Sequence, residues 1–226
     1  MDDHSGALGA DYAQLRQVKR SHKYRLWRRA HEAMRILETF GPKPLSLVAD
    51  LGCADGAMMR TLSGRFEQTA FIGVELGTEL AQIARQAMPQ AQIIRGNIAQ
   101  LPLAPGRFSA AVATAVIEHL PDQQLAFNQI FDILQPGGAL VVTVPDPLWE
   151  RIASMVGHLD DDAHFQIPDL AMLSAMAQNA GFEVVEASKF MLSPVGMPLE
   201  FFAERVVRGL GLDALMANQL LAARKP

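Results

Sequence analysis

Apolar and polar positions follow two different periods along this chain. Between residues 11 and 40, Leu15, Val18, Leu26, Ala30, Ala33, Met34 and Leu37 recur at helical spacing, and "FGPKP" ends the run. From residue 45 the pattern changes. The short apolar runs "LSLVAD", "TAFIGVE", "AQIIRGN", "FSAAVATAV" and "ALVVTVP" predict strands buried on both faces. Between them, "GAMMRTLSGRF", "TELAQIARQAM" and "DQQLAFNQIFDILQ" predict helices, the second capped by Thr78 and the third closed by "PGG". Residues 145–167 read as irregular. After them come a helix, "PDLAMLSAMAQNAGF", a sixth strand, "EVVEASKF", and a helix, "PLEFFAERVVRGLGL". In that last helix Leu199, Phe202, Val206 and Leu210 form one stripe, which predicts core packing. "ANQLLAARK" predicts a final strand.

Strands alternating with helices at this spacing predict parallel βαβ units with right-handed crossovers. The fold class is therefore α/β: a doubly wound, mostly parallel sheet with helices on both faces. A chain of 226 residues suits one such domain. Ligands of these sheets sit beyond the carboxyl ends of the strands, at the switch point. Two acids, Asp50 and Glu75, fall at such ends.

Composition narrows the function. Half of the residues are hydrophobic, as in a folded globule, and the net charge of −4 argues against broad nucleic-acid binding. "MDDHSGALGA" has no basic stretch followed by an apolar one, so no signal peptide is expected, and no apolar run is long enough to cross a bilayer. Cys53 is the single cysteine, which excludes an intrachain disulfide and fits a cytoplasmic location. Within the glycine turn it reads as a small buried filler. No Cys or His pairs at ligand spacing suggest a metal. One segment stands apart: Arg16, Lys19, Arg20, Lys23, Arg25, Arg28, Arg29 and Arg35 face one acid, Glu32, with Tyr24, Leu26 and Trp27 interleaved. A basic amphipathic helix of this kind either caps a cleft as a solvated helix or makes peripheral contact with an anionic membrane.

The turn "VADLGCADGAMM" carries the chemistry. A dinucleotide fingerprint needs glycine at three positions that here hold Gly52, Ala54 and Ala57. Asp50 beside a pyrophosphate would be repulsive. Beside a cation it would attract, by up to about 4 kcal/mol at contact in a dielectric of ~20. The turn therefore suits a nucleoside that carries positive charge and no phosphate, and S-adenosylmethionine is such a ligand.

"VADLGCADG" resembles motif I of the class I S-adenosylmethionine-dependent methyltransferases. "FIGVE", "IIRGNIAQLPL", "FSAAVATAVIEHLPD", "LQPGGALVVTVPDP" and "AGFEVVE" resemble the motifs that follow in its small-molecule branch, the kind represented by ubiquinone-biosynthesis enzymes. The resemblance spans roughly residues 45–190 and implies a seven-stranded sheet whose last strand runs antiparallel. It implies that Glu75 accepts from both ribose hydroxyls and that Gly52 and Gly56, with Cys53 and Ala54 between, let the backbone pass close to the cofactor. Asp50 would hold the ammonium, and Leu76 would lie beside the nucleoside. Asn97, where the family commonly has Asp, would accept from the adenine amino group. The Ile98 backbone would meet the ring edge, and Ala115 would line the methionine side. Residues 1–40 would form a helical cap, and 145–167 and 191–214 acceptor-side insertions.

Methyl transfer from a sulfonium depends mainly on proximity and alignment. A base is needed where the acceptor must lose a proton. "EHL" places Glu118 and His119 just after the fourth strand, and His164 lies in the loop after the fifth. Histidine has a suitable pKa, so His119 and His164 are the catalytic candidates, His119 first because a strand end is fixed by the core. The expected acceptor is a small molecule, lipid-linked intermediate or glycan; its identity, the methylated element and the oligomeric state stay open. The alternatives are an NAD(P)-dependent oxidoreductase, opposed by Asp50 and Ala54, and a non-catalytic scaffold that binds S-adenosylmethionine.

Overall fold

Apolar side chains on both faces of the central strands force the sheet into the middle of the protein. The computed structural model describes residues 18–155 and 166–226. The strands are β1 (Leu47–Leu51), β2 (Ala70–Glu75), β3 (Gln92–Arg95), β4 (Phe108–Thr114), β5 (Leu134–Pro145), β6 (Glu183–Phe190) and β7 (Asn218–Arg224). Successive residues enter opposite layers: Val48, Ala110, Val141 and Ala222 pack on one side, and Ala49, Ala111, Val142 and Ala223 on the other. The strand order is β3-β2-β1-β4-β5-β7-β6. β1 to β5 pair in parallel, and β7 runs antiparallel between β5 and β6. The order reverses between β1 and β4, so the crevice beyond their carboxyl ends is the switch point.

The helices are α1 (Arg20–Phe40), α2 (Ala57–Ser63), α3 (Thr78–Ala87), α4 (Gln123–Ile133), α5 (Pro147–Met155), α6 (Leu170–Asn179) and α7 (Glu200–Gly209). α1, α2 and α3 cover one face through Ala30, Ile36, Met59, Leu62 and Ala84; α4 and α6 cover the other through Phe127, Ile130 and Leu173. The predicted helix over 11–40 is described from Arg20, and Leu15 and Arg16 lie outside the described residues. Val18, predicted apolar and inward, is exposed.

Three local expectations are corrected. Residues 147–155 are helical: Asp146 caps α5 by accepting from the Leu148 N–H at 3.0 Å, and Pro147 is preset for a first turn. Thr78 is the first residue of α3 and makes no cap bond; Gly77 is the cap, and its N–H donates to Glu75 Oε1 at 2.8 Å.

The third correction concerns α7. The stripe expected in the core faces outward, with Leu199 79%, Phe202 63%, Val206 44% and Leu210 68% exposed, while Glu200 and Glu204 are buried. The cause is α1. Arg28, fully buried, donates to both oxygens of Glu204 at 2.6 and 2.7 Å and to Glu32 at 3.4 Å, and stacks 4.2 Å from the Phe201 ring. Glu204 also accepts the Met191 N–H, and Glu200 accepts the Tyr24 hydroxyl and the Ser193 N–H. The basic segment is thus partly internal. Arg35 pairs with Glu32 and Glu186, and Arg29 donates to Asn218 at 3.0 Å. Lys19, Arg20 and Lys23 are its exposed cations among the described residues.

Arg28→Met would leave Glu204 buried without its cation and Glu32 with Arg35 alone. The expected loss of stability is about 3–5 kcal/mol, read from urea unfolding. A loss below about 1 kcal/mol would mean that the pair does not hold α7 to α1.

Candidate active site

The turn after β1 is built from backbone. The N–H groups of Gly52 and Cys53 both donate to the Val74 carbonyl, at 2.8 and 3.1 Å, which ties the turn to β2. Gly52 has φ +72°, and a Cβ there would meet Val116 Cγ2 at 2.5 Å, so only glycine passes. Ala54 also lies in the left-handed region, at φ 47°, at a cost of about 1–2 kcal/mol. Its N–H offsets part of that cost by donating to Glu75 Oε2 at 2.9 Å. Glu75 therefore bridges two turns, from Ala54 to Gly77, and each of its oxygens retains a second acceptor position.

Around this turn the structure gathers most of the cofactor residues expected from the sequence. Asp50 is buried near the end of β1. Gly56 closes the turn at φ +76° as the cap of α2. Cys53 is buried against β2, where a Cβ on Gly73 would come 2.7 Å from its sulfur. Burial first, and then the carboxylates of Asp50 and Glu75, push its thiol well above the usual range, which suits a small filler. Leu76 is exposed directly after Glu75. The Gly96 N–H donates to the Glu75 carbonyl and brings the β3 turn alongside. There Asn97 folds the loop by accepting the Ala99 N–H at 2.9 Å. The Ile98 side chain enters the core. On the other side of the switch point Ala115, at φ 52°, donates its N–H to Thr143 at 2.7 Å. Val116 then lies over Gly52.

These residues fit an adenosyl group with a cationic tail. Glu75 offers two acceptors where paired hydroxyls would sit, the turn is free of bulky side chains, and the buried acid Asp50 opposes a pyrophosphate.

The catalytic candidates separate. His119 ends a short 3-10 turn, Ile117–His119, and is half-buried, while His164 lies outside the described residues. Glu118, beside His119, is 1% exposed and its Oε2 has no hydrogen-bond partner. Burial raises its carboxyl to about 7; a backbone hydrogen bond and Arg29 oppose the rise, and Glu150 adds to it. The sequence carried one signal for this site: an acid next to a histidine at a strand's carboxyl end. The contributions of Arg29 and Glu150 could not be foreseen, because α1 and α5 reach that end only in the folded chain. Among the described residues, no group of His, Cys, Asp or Glu is arranged to hold a metal, and no helix is long and apolar enough to cross a membrane.

Comparison with known proteins agrees with this geometry. A family described as a methyltransferase domain matches residues 22–187. The trans-aconitate 2-methyltransferase of Rhodopseudomonas palustris (strain BisB5) is 32% identical over 123 residues, covering 54% of this chain and 46% of its own. The enzyme of that name from Afipia carboxidovorans is 31% identical over 157 residues, covering 69% and 59%. The chain thus spans about half the length of these relatives. Among solved structures, a Haloferax volcanii chain in complex with the Trm112 methyltransferase activator superposes with a TM-score of 0.72 at 18% identity, over 97% of this chain and 100% of that one. A Thermotoga maritima SAM-dependent methyltransferase gives 0.64 at 18% identity, over 96% and 95%.

The raised carboxyl has a consequence for stability. Folded Glu118 binds its proton more tightly than the unfolded side chain, whose ordinary value is 4.5. Its contribution is therefore fully present below pH 4.5 and is lost as pH rises to about 7. Glu118→Gln should remove this dependence. Relative to the wild type, the variant should gain up to about 3 kcal/mol between the two ends of that window, measured by urea unfolding across pH. Parallel curves would show that Glu118 does not titrate there.

Proposed function

We propose that this chain, which belongs to the class I S-adenosylmethionine-dependent methyltransferases, methylates a small molecule whose accepting atom carries a proton, a hydroxyl or an amine. Glu118 carries the reading. It is a buried carboxylate with an open acceptor oxygen at the end of β4, across the switch point from the glycine turn. A carboxylate acceptor would be repelled there, whereas a hydroxyl or amine donates to it. Arg29, one of the charged groups acting on Glu118, favours a second reading in which the acceptor is a carboxylate, as the names of the trans-aconitate enzymes indicate for those relatives.

Bound S-adenosylmethionine supplies a methyl group on a positively charged sulfur. The roles of this chain's residues are assigned as follows. Glu75 holds the ribose hydroxyls. Asn97 and the Ile98 backbone hold the adenine, and Leu76 packs beside it. Asp50 holds the ammonium directly or through water, while Ala115 and the Gly52–Gly56 turn shape the methionine side. Glu118 receives the acceptor's proton, and half-buried His119 orients the acceptor or shares that task. The described parts of 1–40, 145–167 and 191–214 are assigned to the acceptor side.

In calorimetry the protein should bind S-adenosylmethionine and S-adenosylhomocysteine and give no heat with NAD. Glu75→Ala should weaken binding at least tenfold, since a hydrogen bond to a charged acceptor contributes about 1.5–3 kcal/mol. Unchanged affinity would remove Glu75 from the site. With acceptor pools and labelled cofactor, the methylated products identify the accepting atom. Turnover should rise with pH through about 7 as Glu118 ionises. Glu118→Gln should lower kcat ~100-fold with cofactor affinity unchanged. If His119→Ala alone has that effect, the histidine is the base. If neither does, the carboxylate acceptor becomes the better reading.

A further inference from the structure

From Val195 to Leu212 the chain inverts the usual placement of side chains. Both acids in this stretch, Glu200 and Glu204, are buried, while Val195, Met197, Leu199, Phe202, Val206 and Leu210 are exposed. Its exposed charges are both cationic, Arg205 and Arg208. The apolar surface continues onto α1. Trp27 is exposed beside Phe201, with ring centroids 5.9 Å apart, and Arg20 and Lys23 line a groove with Val195 and Met197. An apolar stripe with basic residues along its margin and a tryptophan at its edge is built for the boundary between lipid headgroups and acyl chains.

We infer that the outward face of α7, with the preceding loop and the start of α1, docks this protein on an anionic lipid bilayer. Charge decides between occupants. The exposed charges of the face are of one sign, although the whole chain carries −4. In a two-fold dimer about this stripe Arg205 would be brought towards its own copy without an acid of α7 to offset it, while Arg208 turns aside to the Lys189 carbonyl, in a groove with Glu186 and Asp213. An anionic bilayer accepts the stripe into its acyl boundary and Arg205, Arg20 and Lys23 at its phosphates. The buried pairs matter here as well. With Glu200 engaged by Tyr24 and Ser193, and Glu204 by Arg28 and Met191, no carboxylate of α7 faces the lipid. The inference stands apart from the cofactor reading, since Glu75 and its turn are bonded to Ala54 and Gly77 and not to α7.

The test is flotation of the purified full chain with vesicles of phosphatidylcholine alone or mixed with phosphatidylserine, at low and high salt. The protein should float with the mixed vesicles, less so at high salt, and weakly with phosphatidylcholine. Arg205→Ala should lower the partition coefficient roughly fivefold. Phe202→Glu with Val206→Glu should lower it at least tenfold, because two apolar contacts are lost and two like charges face the lipid. Both variants alter exposed side chains and should bind S-adenosylmethionine as the wild type does, which separates this inference from the functional one. Absence of flotation at low salt, or unchanged flotation of the double variant, would overturn it. So would a concentration-dependent dimer in sedimentation that the double variant converts to monomer, which would make the face a subunit contact.

Discussion

Arg28 is the side chain on which the packing of α7 against α1 depends. Its guanidinium is fully buried and meets Glu204 through two short hydrogen bonds, with Glu32 beside it and the Phe201 ring beneath. Isolating such a charge from water is costly, so its carboxylates must come to it. That requirement sets the rotation of α7 about its own axis. With Glu204 and Glu200 turned inward, the apolar stripe on the opposite face has only the outside left. One ion pair thus fixes the cap to the segment after β6 and determines what the protein shows to its surroundings.

The cofactor side follows a different constraint. Parallel strands all deliver their carboxyl ends to one edge, and the reversal of order between β1 and β4 opens that edge. Everything needed there is local to a strand end: a turn without bulky side chains, Asp50 at its base, and Glu75 one strand over. The two turns are connected by Glu75 itself, which accepts from Ala54 and Gly77. Preorganisation follows, because the carboxylate is already oriented by bonds that leave half of its acceptor capacity for a ligand. Ala54 shows how much the turn tolerates. A methyl group is carried through left-handed φ, and the bond to Glu75 helps to hold it.

Glu118, the base of the proposed mechanism, is buried just after β4, with Arg29 of α1 and Glu150 of α5 among the charges acting on it. Burial is the first cause of its raised pKa. Its affinity for a proton is therefore set by what surrounds the residue in the folded chain as much as by the residue itself.

The sequence by itself determined the sheet and the cofactor turn. Buried parallel strands must be apolar on both faces, the turn must contain glycine where a Cβ would strike Val116, and the acids must stand at strand ends. All of these requirements act within a few residues and leave a periodic or positional mark. The chain's family could be read from "VADLGCADG" and the motifs after it for the same reason. Tertiary structure alone decided the rest. Helical periodicity in residues 199–210 is the same whether the apolar stripe faces in or out. The direction was set by Arg28, some 170 residues earlier in the chain, and no local pattern records such a partner. Likewise "EHL" names an acid and a histidine side by side, but which of them is dehydrated depends on what the folded chain packs around the end of β4. Burial, and the pKa shifts that follow from it, belong to the assembled protein because they are properties of what lies around a group and not of the group itself.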